Sequence, residues 1–308
     1  MKRNVRPEAP VTEVHEELRP LLFSIAYRMV GSVSEAEDIV QEAFLRLHRE
    51  QSEGVVIDSP KAWLSTVTTR LSINHIRSAR VRRETYVGTW LPEPLLTDAA
   101  PDASQHAETA DSLSMAFLVL LESLSPVERA VFLLREVFDY PYDEIASVVG
   151  KSEDNCRQIL TRARRQVDAK RPRFEADRAR REELARRFFQ AATNGDTEGL
   201  LDLLAADVVA YGDGGGVAQA FPRPVHGKER VARLLQGVAE RGLRLISQVD
   251  FVEINGQPGA LFFDSEGLPF GVVVLDIADG FVQSIRAVAN PEKLRHLGSA
   301  DRPRPSIR

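Results

Sequence analysis

The stretch Tyr140–Val167, YPYDEIASVVGKSEDNCRQILTRARRQV, decides the fold of the middle of this 308-residue chain. Apolar residues at helical spacing predict two short helices. The first is marked by Ile145, Val148 and Val149, and the second by Cys156, Ile159, Leu160 and Ala163. Gly150 permits the unusual backbone angles of a tight turn between them, and Ser152 can cap the second helix. Two short helices with the small Ala146 at their crossing predict a helix-turn-helix.

Basic residues are concentrated in two parts of a chain whose net charge is −5. Residues 151–173 contain eight basic and three acidic residues, and residues 70–83 contain five arginines and no acid. The net charge excludes attraction of the whole molecule to nucleic acid, so any such binding must use these local patches. An arginine-rich helix can also be an ordinary solvated face. Two such helices, one of them inside a helix-turn-helix, favour DNA binding.

Cysteine usage and hydropathy restrict the class of protein further. Cys156 is the single cysteine, which excludes an internal disulfide and favours a reducing, cytoplasmic location. Its place on the apolar stripe predicts a packing role. The N-terminus lacks the apolar core of a secretory signal, and no apolar run approaches membrane-spanning length, so no membrane partner is expected. The six histidines are dispersed, and we expect no metal and no cofactor.

The order of patterns predicts five segments. Helical periodicity predicts an α-helical domain over residues 12–83 and a second one over 111–173. Residues 84–110 form a proline-containing linker with an unusually apolar stretch, TWLPEPLL (Thr89–Leu96). Residues 176–290 form an α+β domain, and 291–308 form a tail. Within the first domain, Ser34 and Glu37 have the spacing of a capping box that would start the second helix.

The α+β domain begins with two helices and continues with alternating apolar and polar residues. Asn255-Gly256 and Asp279-Gly280 occupy positions expected for hairpin turns, and a helix over 228–240 interrupts the strands. We therefore expect a curved antiparallel sheet around one apolar pocket.

Three stretches resemble the extracytoplasmic-function (ECF) RNA polymerase sigma factors. They are AEDIVQEAFLRLH (Ala36–His48), AWLSTVTTRLSINHIRSARVRR (Ala62–Arg83) and the segment Ser125–Arg165, and the resemblance covers roughly half of the chain. WLPEP (Trp90–Pro94), DGGG (Asp213–Gly216) and NPEKL (Asn290–Leu294) resemble the short motifs of the sigma-J-like subgroup, which has a SnoaL-like C-terminal domain. The glycine motif of that subgroup is usually followed by lysine, whereas this chain has Val217.

The resemblance implies a multidomain protein with two all-α domains followed by a SnoaL-like α+β cone. It implies that Asp38, Gln41 and Glu42 dock on a coiled coil of the β′ subunit of core RNA polymerase, where their exposed polar face suits a basic surface. It also implies that one helix opens and binds the minus-ten promoter element, which requires cationic side chains along separated strands. The candidates for that contact are Arg70, Asn74, Arg77 and Arg80.

The second helix of the helix-turn-helix would lie in the major groove at the minus-thirty-five element. Residues near its start can reach base edges, namely Asp154, Asn155, Arg157 and Gln158. Arg162 and Arg165 lie farther along, nearer to phosphates. Ile159 occupies a position where many relatives have arginine, which predicts one phosphate contact fewer.

The role of the C-terminal domain leaves two interpretations. In one, it tunes a promoter-specific initiation factor in cis, through contacts of Trp90 and Leu91 with Asp213, Asn290 and Lys293. In the other, a DNA-binding regulator is fused to a working cyclase or isomerase, since a pocket acid or histidine can move a proton beside a carbonyl. Candidates for such a group are Asp213, His226, Asp250 and Asp276. Their spacing shows no convergent pair, so we assign no catalytic residue. In either interpretation, the expected apolar pocket of this domain could hold a small molecule of unknown identity.

Overall fold

The structure is a computed structural model that describes residues 11–84, 86–97, 112–169, 177–218 and 220–298. Its helices are α1 (Val11–Val30), α2 (Val33–Ser52), α3 (Pro60–Glu84), α4 (Met115–Leu121), α5 (Pro126–Glu136), α6 (Tyr142–Val149), α7 (Glu153–Asp168), α8 (Arg178–Asn194), α9 (Thr197–Leu203), α10 (Lys228–Gly242) and α11 (Pro291–Leu294). Its strands are β1 (Leu204–Asp213), β2 (Val225–His226), β3 (Gln248–Ile254), β4 (Gln257–Phe263), β5 (Pro269–Ala278) and β6 (Phe281–Val288). Across these ranges, no helix is both long and apolar enough to cross a membrane.

The chain divides into two compact units. The first, called the N-terminal unit, comprises Met1–Ala79 and Leu124–Arg165, and the second, called the C-terminal unit, comprises Arg80–Ser123 and Gln166–Arg308. This division differs from the predicted segments, because α4 falls in the C-terminal unit. Six of the seven residues of α4 are buried. A helix that is apolar on all sides is stable only when all sides are buried. Met115 of α4 is buried in the same apolar cluster as Leu91 of the linker.

In the N-terminal unit, α1 and α2 pack against each other across a sharp reversal at Gly31, where φ is 70°. Ser32 lies just before α2 and has an extended backbone, and its hydroxyl accepts from the Glu35 amide at 3.2 Å. Ser32 therefore caps α2. The predicted capping box of Ser34 and Glu37 is therefore wrong. Both of those residues lie inside α2, where a capping side chain has no orphan donor to accept from.

The helix-turn-helix of α6 and α7 is confirmed. The helix α6 ends at Gly150, whose φ of 65° is the left-handed conformation that glycine tolerates best. Ser152 then accepts from the Asn155 amide at 3.3 Å and caps α7. The predicted apolar stripe of α7 is buried, and Ile159 is part of it with 6% exposure. Ile159 therefore packs in the core of the motif.

The sheet of the C-terminal unit has the strand order β2-β1-β6-β5-β4-β3. The expectation of an antiparallel sheet needs one correction, because β1 pairs with β6 in parallel and the sheet is mixed. The last strand, β6, lies beside the first, β1. The chain that connects these two parallel strands contains the other four strands of the sheet. The two predicted hairpin turns are confirmed. Asn255 and Asp279 both have a φ of 53°, and a glycine of positive φ follows each.

Both faces of this sheet are covered by apolar side chains. One face packs on α8, α9 and α10, with Phe188, Leu203 and Val231 among the buried residues. On the other face, Leu261, Val274 and Val288 pack against side chains from outside the sheet. These covering residues are Leu91 of the linker, Met115 and Val119 of α4, Leu294 of α11, and Leu297. We call the two sides the helix face and the linker face.

Replacement of Gly150 tests the turn of the helix-turn-helix. We expect Gly150→Ala to lower the free energy of unfolding by about 1–2 kcal/mol, because a Cβ atom is disfavoured in the left-handed conformation. A Cβ built there meets nothing within 4 Å, so the cost is one of backbone conformation alone. Gly150→Asn should cost less, because asparagine tolerates this conformation better. Urea unfolding measures both variants, and equal stability of all three proteins would contradict the assignment.

Candidate functional site

The three residues predicted to bind polymerase lie along α2. Asp38 and Gln41 are exposed, and Glu42 is half-buried and paired with Arg46 at 2.7 Å. Beside them is a groove of about 440 Å³. Val40, Phe44 and Leu45 form its apolar part, and its polar residues are His15, Arg19, Glu37, Gln41 and His48. The surface of α2 therefore combines carboxylate groups with an apolar depression.

The residues predicted to bind the minus-ten element lie on α3. Arg70, Asn74 and Arg77 are exposed, and their spacing places them on one face of the helix. The side chain of Arg80 lies outside the described residues. Arg70 donates from Nε to the carbonyl of Val148 at 3.0 Å and from Nη2 to the carbonyl of Ser147 at 2.8 Å. These carbonyls lie at the C-terminal end of α6, where unpaired carbonyls and the helix dipole attract a cation.

Further contacts join the two halves of the N-terminal unit. The Tyr140 and Ser65 hydroxyls are hydrogen-bonded at 2.7 Å, and both residues are buried. Arg129, which is also buried, donates from Nη1 to the carbonyl of Met29 at 2.6 Å. Burial of such groups is tolerated only because each is hydrogen-bonded. Arg70 therefore belongs to a set of hydrogen bonds that hold α3 and α1 against residues 124–165, which contain α5 and the helix-turn-helix.

The six residues predicted to bind the minus-thirty-five element are all exposed. They lie opposite the buried stripe of α7 and are Asp154, Asn155, Arg157, Gln158, Arg162 and Arg165. Arg157 donates to Glu153 at 2.8 Å and to Asp154 at 2.9 Å. The start of α7 thus contains acids paired with an arginine. In its later turns Arg164 is paired with Glu136 at 2.6 Å, whereas Arg162 and Arg165 have no ion pair among the described residues.

The five residues predicted to form the interdomain contact lie together in the C-terminal unit. Trp90 and Leu91 of the linker meet Asp213 at the end of β1 and Asn290 and Lys293 at α11. Leu91 is 1% exposed and Asp213 is fully buried. The extended linker brings its backbone polar groups to this point, where they must find partners because water is excluded.

The Asp213 carboxylate is the centre of this contact. It accepts from the Leu91 amide at 2.8 Å, from Lys293 Nζ at 2.7 Å, from the Gly215 amide at 3.1 Å and from the Tyr86 hydroxyl. Burial and the hydrogen bond to this carboxylate raise the pKa of Tyr86, so its hydroxyl remains a donor. A buried carboxylate is stable only with such a set of donors.

Lys293 completes the binding of the linker backbone. Its ammonium, which is buried, donates to the carbonyl of Leu91 as well as to Asp213. The same ammonium lies 4.3 Å from the centre of the Trp90 ring and 5.0 Å from that of Tyr86. Aromatic faces attract a cation, and more strongly where water is excluded. The amide and the carbonyl of Leu91 are thus both bound by one buried ion pair.

The glycine motif and the C-terminal motif are interlocked around Asp213. The Asp213 carbonyl accepts from the amides of Ala289 at 2.7 Å and Asn290 at 3.1 Å. Gly215 has a φ of 62°, and a Cβ on it would lie only 2.4 Å from Asn290 Nδ2. Glycine is therefore required there for both conformation and space. Val217, in the position where the subgroup has lysine, is 80% exposed and outside this network.

The following part of the linker is bound to the edge of the sheet. Leu96 bridges Ile254 in antiparallel fashion, with the Thr97 amide donating to the Glu253 carbonyl at 3.0 Å and the Asn255 amide donating to the Leu95 carbonyl at 2.8 Å. His296 is 2.6 Å from the carbonyl of Pro94, and burial lowers its pKa. A neutral imidazole therefore lies against the linker at this point.

Sequence reasoning missed three residues of this site: Tyr86, Asn255 and His296. Asn255 was predicted only as a turn residue, yet its side chain accepts from the Leu95 amide at 3.0 Å and donates to the Leu113 carbonyl at 2.9 Å. No local pattern distinguishes an asparagine that both turns the chain and binds a distant segment. The aromatic Tyr86, four residues before Trp90 in a polar segment, is a signal that could have been used.

The four candidates for proton transfer do not converge. Asp213 is saturated by donors, and Asp276 is buried in a pair with Arg286 and accepts from Ser284. Side chains alternate between the two faces of a sheet. The residues next to the other candidates in sequence, Val225, Val249, Leu275 and Ile277, lie on the helix face. The carboxylates of Asp250 and Asp276 and the ring of His226 thus point away from it. The helix face itself is formed by buried apolar side chains.

Comparison with known proteins identifies the class. Residues 14–82 match Sigma-70 region 2, and residues 114–167 match Sigma-70, region 4. The first match contains the α2 surface and most of α3, and the second contains the helix-turn-helix. The chain belongs to the ECF RNA polymerase sigma factors and has a C-terminal SnoaL-like domain. Its function is that of a sigma factor in promoter-specific transcription initiation.

Two individual relatives are similar over nearly the whole chain. ECF RNA polymerase sigma factor SigJ of Mycobacterium tuberculosis is 38% identical over 290 residues, which are 90% of this chain and 91% of that protein. Probable ECF RNA polymerase sigma factor SigI of the same species is 34% identical, over 94% of this chain and 96% of its own. The crystal structure of SigJ matches with a TM-score of 0.74, covering 93% of this chain and 98% of that one.

Substitutions at the buried ion pair should have unequal effects. Asp213→Asn leaves the Lys293 ammonium buried without its counter-charge, and we expect a loss of about 3–5 kcal/mol in the free energy of unfolding. Lys293→Met leaves a carboxylate that still accepts from Leu91, Tyr86 and Gly215, so we expect only about 1–3 kcal/mol. Denaturant unfolding of the full chain measures both. A larger loss for Lys293→Met would contradict the role of Asp213 as the centre of the contact.

Proposed function

We propose that this sigma factor binds polymerase and promoter DNA through three separate surfaces. We also propose that binding of the linker to the C-terminal domain regulates its activity. The α2 surface binds core polymerase, the exposed face of α3 binds the minus-ten element, and the start of α7 reads the minus-thirty-five element. The observation that carries the regulatory part is the binding of both backbone groups of Leu91 by the buried pair of Asp213 and Lys293.

The α2 surface suits a basic helical partner such as the proposed β′ coiled coil. Asp38 and Gln41 project into solvent, and Glu42 lies on the same side of the helix. Opposite charges steer two proteins together, and an apolar depression beside them adds contact area from which water is expelled. The groove next to Gln41 provides that depression.

The α3 surface supplies cations for a separated DNA strand through Arg70 and Arg77, with Asn74 between them and Arg80 farther along. Two of the five N–H groups of the Arg70 guanidinium donate to the carbonyls of Ser147 and Val148, and three remain for other acceptors. We propose that promoter binding exchanges these carbonyls for phosphate oxygens, which form stronger, charge-assisted hydrogen bonds.

The α7 surface reads DNA through two kinds of side chain. Asp154, Asn155, Arg157 and Gln158 lie in its first two turns, as in recognition helices that place their N-terminal residues against base edges. Arg162 and Arg165 lie one and two turns later, and we propose that they bind phosphates.

The C-terminal domain acts on the linker and not on a substrate. The bound linker fixes how far the residues before it can separate from those after it. Because the linker is tethered to its own binding surface, its effective concentration there is high. A working enzyme in this domain is disfavoured, since its candidate acids are either saturated or turned away from the helix face. A small molecule is not needed for this role.

Charge reversal on α2 tests the polymerase surface. We expect Asp38→Arg with Glu42→Arg to weaken binding of core polymerase on the order of a hundredfold, because like charges across an interface cost several kcal/mol. Both residues lie away from the buried stripe of α2, so the thermal unfolding midpoint should change little. The matched control is Glu50→Arg with Glu53→Arg at the end of the same helix. Equal binding by both variants in a pull-down would place the contact elsewhere.

Release of the linker tests control in cis. Promoter-driven transcription with core polymerase should be compared for the full chain, Trp90→Ala, and deletions of residues 290–308 and 299–308. We expect higher transcription from the first two variants, because Trp90→Ala loses the ring that contacts Lys293 and the longer deletion loses Lys293 itself. We expect no change from the third variant, which keeps Leu297. A deletion from residue 176 onward also removes restraint but exposes Leu91 and Met115. If all proteins transcribe equally, the C-terminal domain does not regulate this factor.

A further inference from the structure

Two guanidinium groups lie against a single aromatic ring in the helix-turn-helix. The ring belongs to Tyr142, the first residue of α6. The Cζ of Arg157, from the second turn of α7, is 4.7 Å from the ring centre, and that of Arg135, from the last turn of α5, is 5.4 Å from it. The ring thus connects three consecutive helices through its contacts with two cations.

Arg157 is held from a second side by its own helix. Its Nη1 donates to Asp154 at 2.9 Å and its Nη2 donates to Glu153 at 2.8 Å, while about half of the side chain remains exposed. Two hydrogen bonds and a ring face restrict a side chain that would otherwise sample many rotamers. Arg162 and Arg165, farther along α7, form no ion pair or ring contact among the described residues. Arg157 is therefore ordered before any DNA is bound.

The charges around Arg157 argue against a phosphate contact. Glu153 and Asp154 together have two negative charges within hydrogen-bond distance of one guanidinium. A phosphate brought to the same guanidinium would be repelled by both carboxylates. The edge of guanine, in contrast, is neutral and accepts two parallel N–H groups from an arginine whose plane is correctly oriented. Each nitrogen Nη has a second N–H that the carboxylates leave available.

We infer that Tyr142 is a positioning residue for sequence reading. Its ring fixes the plane of the Arg157 guanidinium, and this ordering makes Arg157 the specificity-determining residue of α7 toward a guanine in the minus-thirty-five element. The inference rests on the proposed placement of α7 in the major groove. Preorganisation lowers the entropy lost on binding, and it favours the base that matches the fixed geometry over the others.

The experiment measures holoenzyme binding to promoters that differ at single minus-thirty-five positions. We expect Arg157→Ala to reduce discrimination at one base pair by about tenfold or more, within the range of a lost bidentate contact. Tyr142→Leu should reduce discrimination at the same base pair by about threefold, the scale of one exposed cation–π contact. Tyr142→Phe keeps the ring face and should retain the preference. Arg162→Ala is the control and should weaken binding to all sequences equally.

A double-mutant cycle separates positioning from a structural role. If the ring acts through Arg157, Tyr142→Leu has no further effect on discrimination in an Arg157→Ala background. An effect of equal size in both backgrounds overturns the inference, as does a Tyr142→Leu variant that binds all promoters more weakly with unchanged preference. The inference is also overturned if Tyr142→Leu keeps the normal base-pair preference while Arg157→Ala changes it. In that case the proposed contact between Arg157 and the base still holds. Unchanged preference in Arg157→Ala contradicts the proposed base contact itself.

Discussion

The Asp213 carboxylate lies in a water-free position where an unpaired charge would be very costly. Its four donors come from Tyr86, Leu91, Gly215 and Lys293, which are separated by as much as two hundred residues in the chain. Each donor therefore fixes a different segment at one point. The linker, the glycine turn and the C-terminal helix α11 cannot move independently without leaving a buried charge unpaired. Such a contact favours one defined arrangement even where its net contribution to stability is small.

The two-faced sheet explains why the linker binds at this position. Its helix face is covered by α8, α9 and α10, whereas the apolar part of its linker face is covered by side chains of the linker, α4 and α11. Leu91, Met115 and Leu294 supply that cover. Burying one leucine side chain stabilises by about 1.5–3 kcal/mol. The SnoaL-like domain and the linker thus share one apolar core, and the proposed regulation in cis would use the same contacts as folding.

Much of this arrangement could be predicted from the sequence, because its signals are local. Helical periodicity and the Gly150 turn predicted the helix-turn-helix. Asn255-Gly256 and Asp279-Gly280 predicted the two hairpin turns. The parallel pairing of β1 with β6 was not predictable, since it depends on which distant edge is open. Likewise, Tyr86 and His296 contact the site through long-range packing that no periodicity indicates. The resemblance of WLPEP and NPEKL to the short motifs of the subgroup predicted a contact between Trp90 and Lys293. The hydrogen bonds and the cation–π contact of Lys293 could be identified only from the structure.

The most direct measurement of the central claim is amide hydrogen exchange at Leu91 in the full-length protein. If the buried pair binds the linker backbone, this amide exchanges as slowly as those of the central strand β5. It should then exchange much faster in Asp213→Asn, which loses the charged acceptor. Exchange in the native protein at the rate of an unstructured peptide would contradict the account.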